Sequence, residues 1–283
     1  MKDILERRAA IVRGIRKFFD DQGFVEVETA VRIEAPAPEE HIDCPPVAGG
    51  GYLRASPELQ MKKLLAAGMD LIYQIGPCFR EGERGSRHNP EFTMIEWYRR
   101  GADYRAIMDD MERLMRSFGT FAPFGRLRVR DAYLKYAGWD PWRTWDQDRF
   151  DFDMATVIEP AIKERGGGVF LMDYPPQAAS LSLLAADDGA PDLVYAQRWE
   201  FYYDGMELAN CFTELCDAEE QRKRFYSARN ARKELGESDY PIDEGFLACL
   251  PAIGRAAGIA LGVDRLIMVL TNTKEISAVR AGM

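Results

Sequence analysis

The chain has 283 residues, and with 47% hydrophobic residues it can bury a substantial core in one large domain. Its formal net charge of -9 provides no general basic surface, which argues against a protein that binds nucleic acid. The five cysteines have no CxxC spacing and the two histidines lie far apart, so neither a zinc site nor a disulfide framework is expected. Because no apolar run reaches membrane-spanning length and the N-terminus is charged from Lys2, we expect a cytoplasmic protein without signal peptide or membrane contact.

The chain opens with an amphipathic helix and a strand. A helix over about 3–22, ended by Gly23, is predicted by the apolar residues at helical spacing, which are Ile4, Ile11, Ile15, Phe18 and Phe19. A strand over 24–29 follows. The segment 34–46 is rich in proline and glutamate, so we expect a loop near a substrate pocket, in which His41 is structural or faces solvent.

Two further helix starts are each marked by a capping residue. After a short strand over 52–55, Ser56 is expected as the N-cap and Pro57 at the first helical position. Asp103 is expected to cap another helix. That helix has an apolar stripe that we place in the core, formed by Tyr104, Ile107, Met108, Met111, Leu114, Met115 and Phe118.

The most informative pattern is a pair of strands joined by a polar loop between Cys78 and Tyr98. The first strand delivers Arg80 at its end, and the loop carries charges of both signs. In the second strand, period-two alternation predicts one shared face for Phe92, Met94, Glu96 and Tyr98. That face offers an aromatic plate and an acidic pocket.

The sequence over 198–213 predicts a hairpin with an acidic residue near each end of its second strand. Strands over 198–203 and 206–213 pair across Asp204 and Gly205. Glu207 and Glu214 are seven residues apart, so an unbroken strand would send them to opposite faces. We therefore predict a bulge or bend between them.

The remaining elements complete the predicted fold. They are a buried strand over 169–172, a charged surface helix over 217–235 closed by Gly236, and a small-residue strand over 258–262 that leads into a helix with Arg265 in its first turn. The stretch 121–153 shows no clear periodicity, and we assign it no function. Together the elements predict an α+β fold, with an antiparallel β-sheet flanked by helices.

Two stretches resemble motifs 2 and 3 of the class II aminoacyl-tRNA synthetases, and their amino-acid sequences resemble those of the lysyl branch. They read HNPEFTM at 88–94 and GVDRLIM at 262–268, with ELAN at 207–210 and FTEL at 212–215 between them. The resemblance runs from about Leu5 to Ala278 and implies a class II synthetase-like sheet. The first helix and strand resemble motif 1, which implies a homodimer.

The catalytic pattern begins at once, at about Ile4, so we expect a single catalytic domain over 1–283 and no anticodon-binding domain. This organisation resembles the elongation factor P lysine ligase family, short relatives that load lysine or β-lysine onto a lysine side chain of elongation factor P. The resemblance implies an ATP-dependent ligase without a tRNA partner. At Glu81, Gly82, Cys211 and Thr213 the chain differs from the residues usual in those ligases, but it keeps the main charged residues of the motifs.

The resemblance also assigns roles to individual residues. It implies that ATP contacts Arg80, Glu81, Gly82, Glu83, His88, Asn89, Phe92, Glu207, Leu208, Gly262 and Arg265. It implies that the amino acid contacts Ser56, Pro57, Glu58, Glu96, Tyr98, Asn210, Glu214 and Ala260. Arg80 and Arg265 are the expected catalytic residues, and Mg²⁺ is expected on Glu207 and Glu214.

Residue chemistry supports several of these roles. Arg80 is planar and always ionised, so it can bridge a substrate carboxylate and the α-phosphate of ATP. Phe92 and Arg265 can enclose adenine from two sides. A pocket rich in carboxylates suits a ligand with two amines, such as lysine. Ala260 stands where the tRNA-charging lysyl enzymes usually have glycine, and its methyl group either reshapes the pocket for β-lysine or is inert packing.

The implied reaction has two steps. ATP and the amino acid form an aminoacyl-adenylate, whose carbonyl is then attacked by the neutral ε-amine of an acceptor lysine. No residue is named as the general base, and the departing AMP phosphate could take the proton. The alternatives are a truncated lysyl-tRNA synthetase-like enzyme that uses tRNA or another amine, and a catalytically silent paralogue with a regulatory role. A silent paralogue would typically lose residues that this chain keeps, namely Arg80, Glu207, Glu214 and Arg265.

Overall fold

The computed structural model describes residues 2–119, 121–187 and 189–282, which form a mixed sheet flanked by helices. The strands are β1 (Val25–Glu26), β2 (Arg32–Ile33), β3 (Tyr52–Leu53), β4 (Leu71–Phe79), β5 (Glu91–Arg100), β6 (Gly125–Arg128), β7 (Gly168–Tyr174), β8 (Leu184–Asp187), β9 (Ala190–Tyr203), β10 (Met206–Thr213) and β11 (Ala256–Gly262). The α-helices are α1 (Lys2–Asp20), α2 (Glu58–Ala66), α3 (Tyr104–Ser117), α4 (Val129–Ala132), α5 (Gln147–Asp153), α6 (Glu159–Arg165), α7 (Ala218–Glu234), α8 (Glu244–Ile253) and α9 (Val263–Thr271). Within these ranges, no helix has the length and apolar character needed to cross a bilayer.

The main sheet has nine strands in the described part of the chain. Their order is β1-β4-β5-β11-β10-β9-β7-β6, and β8 pairs with β9. The central pairs are antiparallel, as predicted, which confirms the α+β class. At both ends the sheet adds a parallel pair that the sequence did not predict, β1 with β4 and β6 with β7. In both cases the connection contains helices and is long enough for a parallel crossover.

The largest apolar core lies between the sheet and helices α1, α3 and α9. Ile15 and Phe19 of α1 and Met111 of α3 are fully buried there against Trp97 of β5. Asp103 caps α3 through bonds from two backbone N–H groups, and the apolar stripe of that helix is buried. The predicted cap and core stripe are therefore confirmed.

Some element boundaries differ from the prediction. Helix α1 ends at Asp20 instead of continuing to Gln22, and the following strand contains only Val25 and Glu26. Helix α2 begins at Glu58, so Pro57 is the N-cap and Ser56 precedes it. The Ser56 hydroxyl still accepts from the Glu58 N–H at 2.9 Å, which satisfies one of the free donors of the helix start.

The hairpin between β9 and β10 has the predicted turn. Asp204 and Gly205 both have positive φ, 47° and 73°, as a tight hairpin turn requires. The register shifts between Glu207 and Ala209, which confirms the predicted bulge. Because the bulge reverses the alternation, Glu207 and Glu214 both lie on the wall of one cavity.

A buried carboxylate ties the two ends of the chain to the centre of the sheet. Asp264, at the start of α9, accepts from Arg8 of α1 at 2.5 Å and from the backbone N–H of Thr93 in β5 at 2.7 Å. Arg8 also donates to the Thr93 hydroxyl at 2.8 Å. The network fixes α9 relative to β5, the two elements that carry the strongest sequence motifs.

We expect Gly205→Ala to destabilise the protein more than Gly236→Ala. Both glycines have positive φ, and a methyl group at Gly236 would meet nothing within 4 Å, so that change should cost about 1 kcal/mol. A methyl group at Gly205 would come within 2.4 Å of the Lys163 Cβ, which adds a steric cost and should raise the total above about 2 kcal/mol. Urea unfolding of both variants measures the difference, and equal losses would contradict it.

Candidate active site

A cavity of about 340 Å³ opens on one face of strands β5, β9, β10 and β11. Most of the predicted site residues lie on its wall: Ser56, Glu58, Arg80, Glu83, His88, Asn89, Phe92, Glu96, Tyr98, Glu207, Leu208, Asn210, Glu214, Ala260, Gly262 and Arg265. The shared face predicted for β5 is confirmed, because its four alternating residues all line the cavity.

Three predicted site residues do not line the cavity. Pro57 lies at the start of α2, where its ring shapes the turn rather than the wall. Glu81 and Gly82 are exposed in the loop after β4, and the Glu81 N–H donates to the Asp43 carbonyl at 2.8 Å. Their predicted contacts with substrate and ATP stay predictions.

One end of the cavity is built around the buried carboxyl of Glu96. Glu96 is 1% exposed and accepts from the Ser56 hydroxyl at 2.6 Å and from the Tyr98 hydroxyl at 3.0 Å. Burial, followed by the negative charge of Glu58, raises the pKa of Glu96 to about 8. This end of the cavity therefore favours a ligand that brings positive charge.

Lys62 lies among these carboxylates, and the sequence reasoning missed it. Its ammonium is 2.5 Å from Glu58 and also forms an ion pair with Glu214, and all three side chains are largely or fully buried. Burial alone would lower the pKa of Lys62, but the charges of Glu214 and Glu58 raise it above its usual value. Lys62 is one helical turn after Glu58, and this i, i+4 spacing was the signal in the sequence.

A fourth carboxylate comes from the loop before β3. Glu39 lies on the cavity wall, and burial, with the charge of Glu58, raises its pKa to about 7. The loop over 34–46 therefore lies beside the cavity, as expected, and His41 is exposed.

Strand β9 supplies an arginine and a carboxylate that the sequence reasoning also missed. Arg198 donates to the Glu200 carboxylate at 2.6 Å and to the Asn210 side-chain oxygen at 3.1 Å. The Tyr202 hydroxyl donates to the other oxygen of Glu200 at 2.7 Å. The signal was the alternation of three polar residues at 198, 200 and 202, opposite the predicted site residue Asn210.

The other end of the cavity holds two arginines. The Arg80 guanidinium lies over the Phe92 ring at 5.3 Å, and its buried Nε has no hydrogen-bond partner among the described residues. Arg265 donates to the backbone carbonyl of Glu207 at 3.0 Å and lies 2.6 Å from the Nε2 of His88. Burial and the charge of Arg265 lower the pKa of His88, so its neutral ring can accept that bond. The orphaned Arg80 donor points to a ligand with acceptor oxygens.

The acidic residues of the cavity suit a metal that is shared with a ligand. Within the described residues, no group of three or more His, Cys, Asp or Glu side chains forms a complete metal site. Glu207 and Glu214 are hard oxygen donors on the same wall, and Lys62 is ion-paired to one oxygen of Glu214. Carboxylate oxygens are ligands that Mg²⁺ prefers, so Glu207 and Glu214 are the residues that would hold it.

Comparison with known proteins identifies close relatives over nearly the whole chain. A family model described as tRNA synthetases class II (D, K and N) matches residues 1–281. An elongation factor P--(R)-beta-lysine ligase of Proteus mirabilis (strain HI4320) is 37% identical over 311 residues, which cover 98% of this chain and 94% of that protein. A protein of the same name from Vibrio cholerae serotype O1 is 35% identical over 308 residues, with 98% of this chain and 94% of that protein covered.

We expect Lys62→Met to lower the free energy of unfolding by about 3 kcal/mol at pH 8, because two buried carboxylates lose their cation. The loss should be smaller at pH 6, since a buried carboxyl with a raised pKa is already protonated there and needs no counter-ion. Urea unfolding at both pH values measures this dependence.

The matched control is Lys63→Met. Lys63 is the next residue on α2 and pairs with Asp243 at 2.6 Å, but its side chain is 32% exposed. Removal of this half-exposed pair should cost no more than about 1 kcal/mol at either pH. A loss for Lys62→Met that does not vary with pH would contradict the proposed charge balance.

Proposed function

Because this chain belongs to the class II tRNA synthetases (D, K and N), we propose that it activates lysine or β-lysine as an aminoacyl-adenylate and transfers it to elongation factor P. The chain is an ATP-dependent ligase of this family, and its relatives carry the name of a ligase for elongation factor P. The observation that carries the proposal is that several buried carboxylates and Arg80 line the same cavity.

The charge balance of the cavity supports an amino acid with two amines. The carboxylates of Glu39, Glu58, Glu96 and Glu214 line the cavity, and the single ammonium of Lys62 is ion-paired with two of them, Glu58 and Glu214. A neutral amino acid would leave buried negative charge, whereas an ammonium ligand would compensate it. An additional amine in the side chain therefore improves binding.

The pocket wall supports a choice between lysine isomers at Ala260. In the sheet, Ala260 pairs with Asn210 on one side and with Glu96 on the other, and all three line the cavity. Its methyl group thus lies between two residues that line the cavity. We propose that it favours β-lysine, although one methyl group supports only modest discrimination.

The arginines support the adenylate step. Attack of the substrate carboxylate on the α-phosphate builds negative charge, which the Arg80 guanidinium can stabilise through its unpaired Nε. We propose that Phe92 and Arg265, which both line the cavity, hold adenine, and that His88, whose Nε2 lies 2.6 Å from Arg265, contacts phosphate. Bound Mg²⁺, held by Glu207 and Glu214, would neutralise charge on the phosphate oxygens.

The second step is transfer to an amine. The neutral ε-amine of the acceptor lysine attacks the adenylate carbonyl, and AMP leaves. We further propose a single catalytic domain over 1–283 that works in the cytoplasm, where a translation factor is found. We also propose a homodimer in which α1 and β1 contact a second copy, which sedimentation can test against the 32.1 kDa mass of one chain.

Intact-mass analysis of elongation factor P after incubation with the protein, ATP, Mg²⁺ and either lysine isomer tests the proposed function. We expect a mass gain of one aminoacyl group, larger with β-lysine, and no charging of tRNA in a parallel reaction. Charged tRNA with unmodified protein would indicate a minimal synthetase instead. Absence of both products, together with no pyrophosphate exchange into ATP, would indicate a silent paralogue.

A matched pair of variants serves as the control. Arg80→Lys keeps the charge but loses the planar donor fork, so pyrophosphate exchange should fall by about 100-fold or more. Arg84→Lys changes an exposed arginine of the same loop that is absent from the cavity wall, and its exchange rate should stay near that of the unchanged protein.

We expect the KM for lysine to fall as the pH rises from about 6.5 to 8.5. The pKa of Glu39 is about 7 and that of Glu96 about 8, so both carboxyls are protonated at the lower pH and ionised at the upper one. An ammonium ligand binds the ionised form, and one titrating group changes the KM by at most about 10-fold per pH unit. Pyrophosphate exchange measures the KM.

The Glu96→Gln variant should bind lysine more weakly, and its KM should vary less with pH. A KM that does not change with pH in the unchanged protein would contradict this prediction.

A further inference from the structure

A second cavity of about 690 Å³ adjoins the first one. Four residues line both cavities, namely Glu39, Arg198, Glu200 and Glu207. The outer walls of the second cavity come from α7, from α5 and the start of α6, and from the segment 38–41. Part of the stretch 121–153, to which the sequence assigned no function, therefore lies beside the active site.

The wall of the second cavity is acidic where it faces the shared residues. Glu159 and Glu207 lie there, and burial followed by neighbouring carboxylates raises the pKa of both. The two arginines of the wall already have partners. Arg198 bonds Glu200 and Asn210, and Arg224 bonds Glu220 and two backbone carbonyls.

Two buried polar atoms on this wall have no partner among the described residues. They are the side-chain oxygen of Gln221, which is 1% exposed as a residue, and the hydroxyl of Tyr174, which is 2% exposed. A buried polar atom without a hydrogen bond costs free energy unless a ligand or water satisfies it. The free amide oxygen suits a donor, such as an ammonium or a peptide N–H.

We propose that the second cavity admits the acceptor, so that a lysine side chain on a loop of a partner protein reaches the adenylate carbonyl through the wall that both cavities share. This inference rests on the proposed function. Under the proposed function ATP and the amino acid occupy the first cavity, and the second cavity, which shares four wall residues with it, provides a separate approach for the acceptor. The second cavity is larger than one amine needs, and its acidic wall would repel the phosphates of an RNA acceptor while attracting an ammonium.

Transfer replaces the bond between the adenylate carbonyl carbon and the phosphate oxygen by a bond to the acceptor nitrogen. The entering ammonium gives one proton to the carboxylate of Glu159, which lines the second cavity, and its nitrogen forms a bond to the carbonyl carbon. The bond between that carbon and the phosphate oxygen breaks, AMP leaves with the electron pair, and the departing phosphate takes the second proton from the nitrogen as the amide forms.

Ser227→Trp tests the proposal by narrowing the second cavity. Ser227 is an exposed residue of α7 that lines this cavity and not the first one. We expect transfer from preformed adenylate to elongation factor P to slow by at least about 10-fold, while pyrophosphate exchange and trapping of the adenylate by hydroxylamine stay unchanged. The control is Asn230→Trp, an exposed position on the same helix outside both cavities, which should leave all three rates unchanged.

A second variant, Glu159→Gln, removes one carboxyl that lines only the second cavity. It should slow transfer to elongation factor P and leave exchange intact. Undiminished protein transfer in both variants would overturn the proposal, and so would a loss of pyrophosphate exchange in both, because the cavity would then serve activation. If the unchanged protein itself shows no exchange with either lysine isomer, the proposed function fails instead.

Discussion

The burial of negative charge is the constraint on which the active-site end of this structure depends. Glu58, Glu96 and Glu214 converge from a helix and two strands, and Lys62 is the cation that lies between two of them. Buried carboxylates that lie so near one another take up protons unless a cation balances their charge, as the raised pKa of Glu96 shows. Substrate selection and the folding of this region are therefore two aspects of the same electrostatic problem.

Much of the site could be predicted because it is encoded by local periodicity. The alternation of Phe92 to Tyr98 fixed one face of β5, and the seven-residue separation of Glu207 and Glu214 required a bulge that the structure contains. The pair Asp204 and Gly205 is a sequence typical of a tight hairpin turn and of few other conformations. These features depend on neighbouring residues, so the sequence alone was sufficient for them.

The features that could not be predicted depend on contacts between distant segments. Lys62 of α2 pairs with Glu214, which follows β10, although the two residues are far apart in the sequence, and no local pattern predicts that contact. The parallel pairing of β6 with β7 follows from a crossover whose first helices, α4 and α5, lie in the stretch 121–153, where the sequence has no clear periodicity. The second cavity is lined by α7 and α5, two helices that are far apart in the sequence. Its wall includes Gln221, which lies on a helix whose sequence predicts only a charged surface.

The bond between Arg8 and Asp264 has a consequence for biosynthesis. The two residues are 256 positions apart, so this contact is among the last that a chain emerging from the ribosome can make. Until then α9 is not anchored against Thr93, and Arg265, the next residue on that helix, is not held at the cavity wall. The wall of the first cavity is therefore completed only after α9 has been synthesised and has packed against β5.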